Sequence, residues 1–219
     1  MQNKMKIKNI FWDVDGVLAD LNHAYYKFLT GHQNWRNKFD ISSFSDLPKA
    51  LPISSPEFGS LELLTHPEFA EQLNHDFITS EFFDDRPLYP DTKPAIISLH
   101  DMGINQTIMS ATGTPERKKA VLKSLFDGLP IDIRVAPHGE GKEAKESHMI
   151  KYMNENNWNP SETILVDDRP YNLRAAIRAG IRPIRYRSEF TIDNPIDLKT
   201  PEFFNLKDLV EYIKKENGL

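Results

Sequence analysis

The chain has 219 residues, of which 39% are hydrophobic and 27% are charged, and its formal net charge is −5. This composition is typical of a globular protein with a sizeable core, and the acidic balance argues against nucleic-acid binding, which favours a basic surface. No apolar run reaches the ~20 residues of a membrane span, the first residues lack the apolar stretch of a signal peptide, and cysteine is absent. We therefore expect a cytoplasmic protein without disulfides or thiolate zinc sites, with neither membranes nor nucleic acids as partners.

A predicted strand at residues 7–12 ends in two acidic residues, Asp13 and Asp15, which are followed by Gly16. Alternate residues of an extended chain point the same way, so both carboxylates would enter one small volume. Like charges at close range are costly unless a proton or a cation lies between them, and carboxylate oxygens suit a hard divalent metal. A plain Asp-Gly turn is one alternative. A calcium loop is another, but it needs an oxygen ligand and a glycine where this chain has Val17 and Leu18.

The segment from residue 18 to residue 88 has no alternation of strand and helix patterns. Its prolines and phenylalanines include Pro48, Pro52, Pro56, Pro67, Phe39, Phe44, Phe58, Phe69, Phe77, Phe82 and Phe83. We predict a mostly helical insertion in which most of these aromatic side chains form a core of its own.

After residue 88, predicted helices and strands alternate. The helices are expected at 91–102, 115–125, 145–156 and 172–179, with a closing helix from Phe203, and the strands at 106–109, 131–135, 163–166 and 183–187. The first of these helices would direct Ile96, Ile97, Leu99 and Met102 inward. This alternation predicts a Rossmann-like α/β fold, in which a parallel sheet is covered by helices on both faces and ligands bind at the carboxyl ends of the strands.

Polar residues follow two further predicted strands. Ser110 comes after the apolar run that ends at Met109, and Asp167 and Asp168 come directly after Val166. Charges that abut a buried strand are expensive without a partner. Because the carboxyl ends of parallel strands lie at one edge of the sheet, we expect these residues near Asp13.

The segment Asp13-Val-Asp-Gly-Val closely resembles the first motif of the haloacid dehalogenase superfamily, the Asp-x-Asp-Gly-Val/Thr loop of Mg-dependent phosphatases. The second motif of that family, a Ser or Thr that ends a strand, corresponds to Ser110. The fourth, an acidic residue pair after a strand, corresponds to Asp167 and Asp168. The order of these matches along the chain is the order in the family.

The third motif of the family is a lysine at the start of the helix before the fourth-motif strand, and two lysines fit it. Lys145 lies 23 residues before Asp168 and opens a predicted helix, whereas Lys142 lies three residues earlier in a glycine-flanked loop. The spacing favours Lys145, but the sequence leaves both lysines open.

The resemblance implies phosphoryl transfer through an aspartyl phosphate. Asp13 would be the nucleophile, and Asp15 would protonate the leaving oxygen and then activate a water molecule. Mg²⁺ would be bound by the Asp13 carboxylate, the Asp15 carbonyl oxygen and Asp168, with Asp167 ligating or orienting a water. Ser110 and the lysine would bind the phosphate oxygens.

The resemblance also implies a domain organisation and a reaction class. Residues 1–17 and 89–219 would form the Rossmann-like core, and residues 18–88 a helical cap. A hydrolase acting on a small phosphorylated metabolite, such as a nucleotide or a sugar phosphate, is the leading interpretation. A sugar phosphomutase and a catalytically silent binding module are the alternatives. The run Val166-Asp-Asp-Arg-Pro is somewhat similar to the deoxyribonucleotidase branch of the superfamily.

Overall fold

The computed structural model describes residues 6–39, 41–46, 67–137, 144–187 and 199–219. The chain divides into two compact units, with breaks between Leu18 and Ala19 and between Pro87 and Leu88. The first unit holds the described residues up to Leu18 and from Leu88 onward, and the second holds those from Ala19 to Pro87.

The first unit contains a parallel sheet whose six described strands have the order β3-β2-β1-β4-β5-β6. The strands are β1 (Asn9–Trp12), β2 (Asn105–Thr112), β3 (Asp132–Pro137), β4 (Thr163–Asp167), β5 (Arg182–Tyr186) and β6 (Glu202–Phe203). This architecture confirms the predicted Rossmann-like α/β fold.

Helices follow the strands of the first unit in alternation. They are α3 (Thr92–Asp101), α4 (Pro115–Leu125), α5 (Ala144–Asn156), α6 (Pro170–Arg178) and α7 (Leu206–Asn217), after α1 (Leu21–Gly31) and α2 (Pro67–Thr79) of the second unit. The predicted bounds of α4, residues 115–125, agree with the structure. Thr114 is its N-cap residue, and Pro115 occupies the first helical position, which suits proline. Among the described residues, no helix combines the length and the apolar character that a membrane crossing requires.

The central strands β1 and β4 are buried along their whole length. A strand covered on both faces is expected to be apolar throughout, which explains the unbroken Ile-Phe-Trp and Ile-Leu-Val runs. Trp12 pairs with Ile108 of β2 on one side and with Val166 of β4 on the other. The strand order reverses direction between β1 and β4, and ligands of such sheets bind at this switch point.

Two predicted element boundaries next to the polar residues are corrected by the structure. The strand predicted to end at Met109 continues as far as Thr112. Its pairing with β3 extends to this residue, since Thr112 of β2 pairs with Pro137 of β3. Ser110 therefore lies within β2, two residues before its end. The helix predicted to begin at Asn172 begins at Pro170, since proline is well suited to a first helical position.

Two further corrections concern packing and the closing segment. Ile97 was expected to face inward but is 46% exposed, because α3 buries the face that carries Ala95, Ile96 and Leu99. The closing helix was expected from Phe203. That residue instead pairs with Tyr186 in the two-residue strand β6, and α7 begins after Asn205, whose side chain accepts a hydrogen bond from the Asp208 N–H.

The described part of the second unit consists of α1, α2 and two short 3₁₀ turns, at Phe44–Asp46 and Glu81–Phe83. Phe77 and Phe83 are buried in a cluster that also contains Tyr25, Phe28 and Trp35. The remaining predicted aromatics Phe39, Phe44 and Phe82 pack against this cluster. Pro48, Pro52, Pro56 and Phe58 lie outside the described residues, and the side chain of Phe69 is not described.

Candidate active site

Asp13 and Asp15 leave the sheet at the carboxyl end of β1. The Asp13 N–H donates to the Val166 carbonyl oxygen at 2.9 Å, which extends the pairing of β1 with β4 by one residue. The chain then turns at Gly16, whose φ of 82° is in the left-handed region that favours glycine. A Cβ atom at this position would lie 3.1 Å from Asp168 Oδ2, so glycine also permits the close approach of the loop to Asp168.

Lys145 joins the ends of β1 and β4. Its Nζ donates to Asp13 Oδ1 at 2.8 Å and to Asp167 Oδ2 at 2.5 Å, and its side chain is only 4% exposed. Burial lowers the pKa of Lys145, but the two carboxylates outweigh burial and hold its pKa above the usual range. The lysine is therefore a fixed positive charge between the buried carboxylate of Asp167 and the largely buried carboxylate of Asp13. Within the described residues, no donor reaches the other oxygen of Asp13.

Asp167 is fully buried, and both of its carboxylate oxygens accept hydrogen bonds. Oδ1 accepts from the Arg169 N–H at 2.8 Å and from Asn172 Nδ2 at 3.0 Å, and Oδ2 accepts from Lys145. The Arg169 N–H belongs to the N-cap residue of α6, so Asp167 also stabilises the start of that helix. This set of partners fixes the Asp167 carboxylate firmly in place.

Asp168 has a different environment. Its Oδ1 is buried and has no hydrogen-bond partner among the described residues, and its Oδ2 lies 3.4 Å from Arg169 Nε. Burial raises the pKa of Asp168 to about 7, partly opposed by Arg169 and reinforced by Asp167 and Asp13. A buried carboxylate oxygen without a donor is costly, and a cation at this oxygen would remove that cost.

Three carboxylates meet at this edge of the sheet. Asp13, Asp167 and Asp168 each place one oxygen within 4.8 Å of the others. Burial also raises the pKa of Asp13 to about 6, against the effect of Lys145, and the neighbouring Asp167 and Asp15 raise it further. A hard divalent cation prefers oxygen ligands and would offset this mutual repulsion. The residues present therefore fit an ion such as Mg²⁺.

Asp15 pairs with a lysine that the sequence did not single out. Lys118 Nζ of α4 donates to Asp15 Oδ2 at 2.5 Å, and the exposed fractions of the two side chains are 4% and 19%. The one available signal in the sequence is that Lys118 lies four residues before the buried Leu122, on the apolar face of its helix.

The structure brings some predicted residues together and leaves others apart. Asp13, Asp167, Asp168 and Lys145 form one cluster. Ser110 is buried within the neighbouring strand β2, two residues before its end, and it makes no hydrogen bond to these residues. Lys142 lies outside the described residues.

Two further residues of the site, Arg169 and Asn172, contact Asp168 and Asp167 respectively. In the sequence, Asn172 is noticeable only as a polar residue four positions after Asp168. Arg169 belongs to the run Val166-Asp-Asp-Arg-Pro, but nothing in the sequence indicates its contact with Asp168, since an arginine next to an aspartate is common on protein surfaces.

The sequence model of the haloacid dehalogenase-like hydrolases matches residues 7–180, which include all of the site residues described above. The chain belongs to this family of hydrolases. No curated protein matches the chain significantly.

Solved structures share the fold at low sequence identity. A predicted phosphatase from Clostridium acetobutylicum superposes with a TM-score of 0.66 and 18% identity, covering 96% of this chain and 99% of its own. CbbY from Rhodobacter sphaeroides, solved in complex with phosphate, superposes with a TM-score of 0.62 and 18% sequence identity. The match covers 93% of this chain and 96% of CbbY. A variant of CbbY, solved with xylulose-(1,5)bisphosphate, superposes with a TM-score of 0.62 and 17% sequence identity. The match again covers 93% of this chain and 96% of the other.

Proposed function

We propose that the chain is a Mg²⁺-dependent phosphoric monoester hydrolase that acts on a small phosphorylated metabolite through an aspartyl phosphate at Asp13. One observation carries the proposal: Asp13 lies at the switch point of the sheet, hydrogen-bonded to Lys145 and within an acidic cluster suited to a divalent cation. This arrangement offers a carboxylate nucleophile, a fixed positive charge and metal ligands in one place. Membership of the hydrolase family supports the same reaction class.

Asp13 is suited to attack on phosphorus because Lys145 occupies Oδ1 and leaves Oδ2 for the reaction. Attack forms a bond from Oδ2 to phosphorus as the bond to the leaving oxygen breaks, and water later attacks the acyl phosphate to release inorganic phosphate. Lys145, which donates to Asp13 Oδ1, is the proposed contact to a non-bridging phosphate oxygen, where it would stabilise the developing charge. Ser110 is the second proposed contact to the phosphate, while Lys142 remains a competing assignment for the lysine.

Asp15 is the proposed general acid and base. It would give a proton to the leaving alkoxide and then take one from the attacking water. The resemblance to the superfamily implies that this second carboxylate goes with a leaving group that needs a proton, whereas a halide leaves without one. Asp15 therefore favours an alcohol or sugar leaving group.

The proposed Mg²⁺ ligands are the Asp13 carboxylate, the Asp15 carbonyl oxygen and Asp168. The unpartnered Asp168 Oδ1 supports a direct ligand role, whereas the hydrogen bonds to both oxygens of Asp167 support a role in orienting its neighbours. When bound, the cation supplies charge neutralisation between the carboxylates and the incoming phosphate.

We infer that the unit from Ala19 to Pro87 acts as the cap that selects the substrate. Its helical described elements and its own aromatic cluster support a separately folded insertion after the Asp13 loop. A nucleotide or a sugar phosphate is the proposed substrate class. The CbbY variant solved with a sugar bisphosphate is a protein of similar fold. The run Val166-Asp-Asp-Arg-Pro, together with the Asp13 motif, is somewhat similar to the deoxyribonucleotidases and supports the nucleotide as the other candidate.

The direct test is hydrolysis of para-nitrophenyl phosphate with Mg²⁺, followed by a panel of some twenty phosphorylated metabolites. We expect phosphate release that stops when the metal is chelated and returns when Mg²⁺ is added. Hydrolysis of none of these compounds would favour a silent binding module. Isomer formation in excess of phosphate release from a hexose phosphate would instead identify a mutase.

Replacement of the proposed general acid should have an effect that depends on the leaving group. We expect Asp15→Asn to lose about 10²–10⁴-fold in kcat with an alkyl phosphate, the range typical of acid–base catalysis. The loss should be much smaller with para-nitrophenyl phosphate, because the phenolate leaves without a proton. Steady-state kinetics with the two substrates measure this, and equal losses would contradict the role of Asp15.

Replacement of the two neighbouring acidic residues should separate their functions. We expect Asp168→Asn to raise the Mg²⁺ concentration for half-maximal activity far more than Asp167→Asn, because it removes a direct ligand. Asp167→Asn should shift that concentration by at most about 10–100-fold, as residues that orient metal ligands do. Titration of activity with Mg²⁺ is the measurement, and a larger shift for Asp167→Asn would reverse the two assignments.

A further inference from the structure

Lys118 forms a buried ion pair with Asp15. The lysine belongs to the first turn of α4, and its ammonium group is 2.5 Å from Asp15 Oδ2. Its side chain is 4% exposed, although lysine is almost never so deeply buried without a partner. Asp15 is its hydrogen-bond partner within the described residues.

The position of Lys118 is set by the start of α4 and by the buried face of that helix. Thr114 and Pro115 set the start of α4 at the end of β2, and Leu122, one turn further on, is fully buried on the same face. The aliphatic stem of Lys118 therefore runs through the packed face of the helix and delivers its charge to the edge of the sheet. A buried ammonium needs an anionic partner, so the pair restricts the carboxylate as well as the lysine.

Each aspartate of the loop after β1 is thus bound by its own lysine. Lys145 of α5 bonds to Asp13 and Asp167, whereas Lys118 of α4 bonds to Asp15. The two lysines come from helices that follow different strands, β2 for α4 and β3 for α5. Asp13 and Asp15 therefore have different lysine partners, which belong to different helices.

On the basis of the proposed hydrolase function, we propose that Lys118 is the positioning residue of Asp15. Its ammonium fixes the carboxylate of the general acid and base in one orientation, so that the proton is delivered along a defined direction to the leaving oxygen. Small misplacements of a catalytic group cost on the order of 10²-fold in rate. Lys118 acts through Asp15 and does not contact the phosphate.

The test uses Lys118→Met, which keeps most of the aliphatic stem and removes the charge. We expect kcat for an alkyl phosphate to fall by about 10²-fold with little change in KM, and kcat for para-nitrophenyl phosphate to fall by less than about threefold. Lys118→Arg should recover part of the loss with the alkyl phosphate. Lys119→Met is the matched control, since Lys119 is the exposed next residue of the same helix, and it should behave as wild type with both substrates.

The double variant Lys118→Met/Asp15→Asn sharpens the test. If Lys118 acts through Asp15, the double variant should be no slower than Asp15→Asn alone with the alkyl phosphate. Equal losses on both substrates, a loss confined to KM, or a further loss in the double variant would overturn the proposal. Absence of phosphatase activity in the wild type would instead contradict the proposed function itself, so the two failures are distinguishable.

Discussion

Asp13→Asn should abolish turnover of para-nitrophenyl phosphate while the protein stays folded. An amide has nearly the shape of the carboxylate but cannot attack phosphorus, so the covalent route is lost. The substitution also removes a charge whose burial is costly, as the rise in the Asp13 pKa to about 6 indicates. Lys145 keeps Asp167 as a partner. We therefore expect a melting temperature within about 4 °C of wild type, which corresponds to roughly 1 kcal/mol for a chain of this size.

Steady-state rates and a thermal melt of Asp13→Asn and wild type provide the measurement. Asp127→Asn is the matched control, because Asp127 is exposed, and it should retain full activity. Rapid acid quench with a labelled substrate adds a direct readout: label should remain on the wild-type protein and not on Asp13→Asn. Residual turnover of Asp13→Asn near the wild-type rate would show that another residue is the nucleophile.

Lys145→Met should lower the rate by on the order of 10²–10³-fold, the loss typical when one electrostatic contact to the transferring group is removed. It should also lower stability, since it leaves the buried Asp167 and the largely buried Asp13 without their common cation. Breaking a buried pair from one side costs about 3–5 kcal/mol. Activity must therefore be measured well below the melting temperature of the variant and with saturating Mg²⁺.

Two comparisons decide the assignment of the lysine. Lys151→Met on the same helix is the matched control, because that side chain is 75% exposed, and it should keep wild-type activity. Lys142→Met tests the competing candidate and is expected to stay close to wild type. A large loss in Lys142→Met together with normal activity in Lys145→Met would transfer the phosphate-binding role to Lys142.

Periodicity predicted the fold class because the central strands are buried on both faces and their apolar runs are unbroken. The charged residues that directly follow those runs also stood out: Asp13 after Trp12 and Asp167 after Val166. Position relative to a buried strand was therefore sufficient to find carboxylates at the edge of the sheet.

Features that depend on tertiary contacts could not be predicted from the sequence. Phe203 pairs in a two-residue strand that is too short to show any period, so it was assigned to the closing helix. The inward face of α3 excludes Ile97, a choice that depends on its neighbours in space. The position of Lys118 on the apolar face of its helix does not identify a partner, and only the approach of α4 to the loop after β1 reveals its contact with Asp15.

The ion pair between Lys145 and Asp13 spans 132 residues of sequence, and it depends on the insertion of β1 between β2 and β4. Contacts of such long separation form slowly, because the entropy of closing the intervening chain must be overcome first. During synthesis β1 emerges long before β4 exists, so its apolar residues have no partner strands until β2 and β4 have been synthesised. The acidic cluster can form only once β4 has been synthesised, because Asp167 is the last residue of that strand and Asp168 follows it.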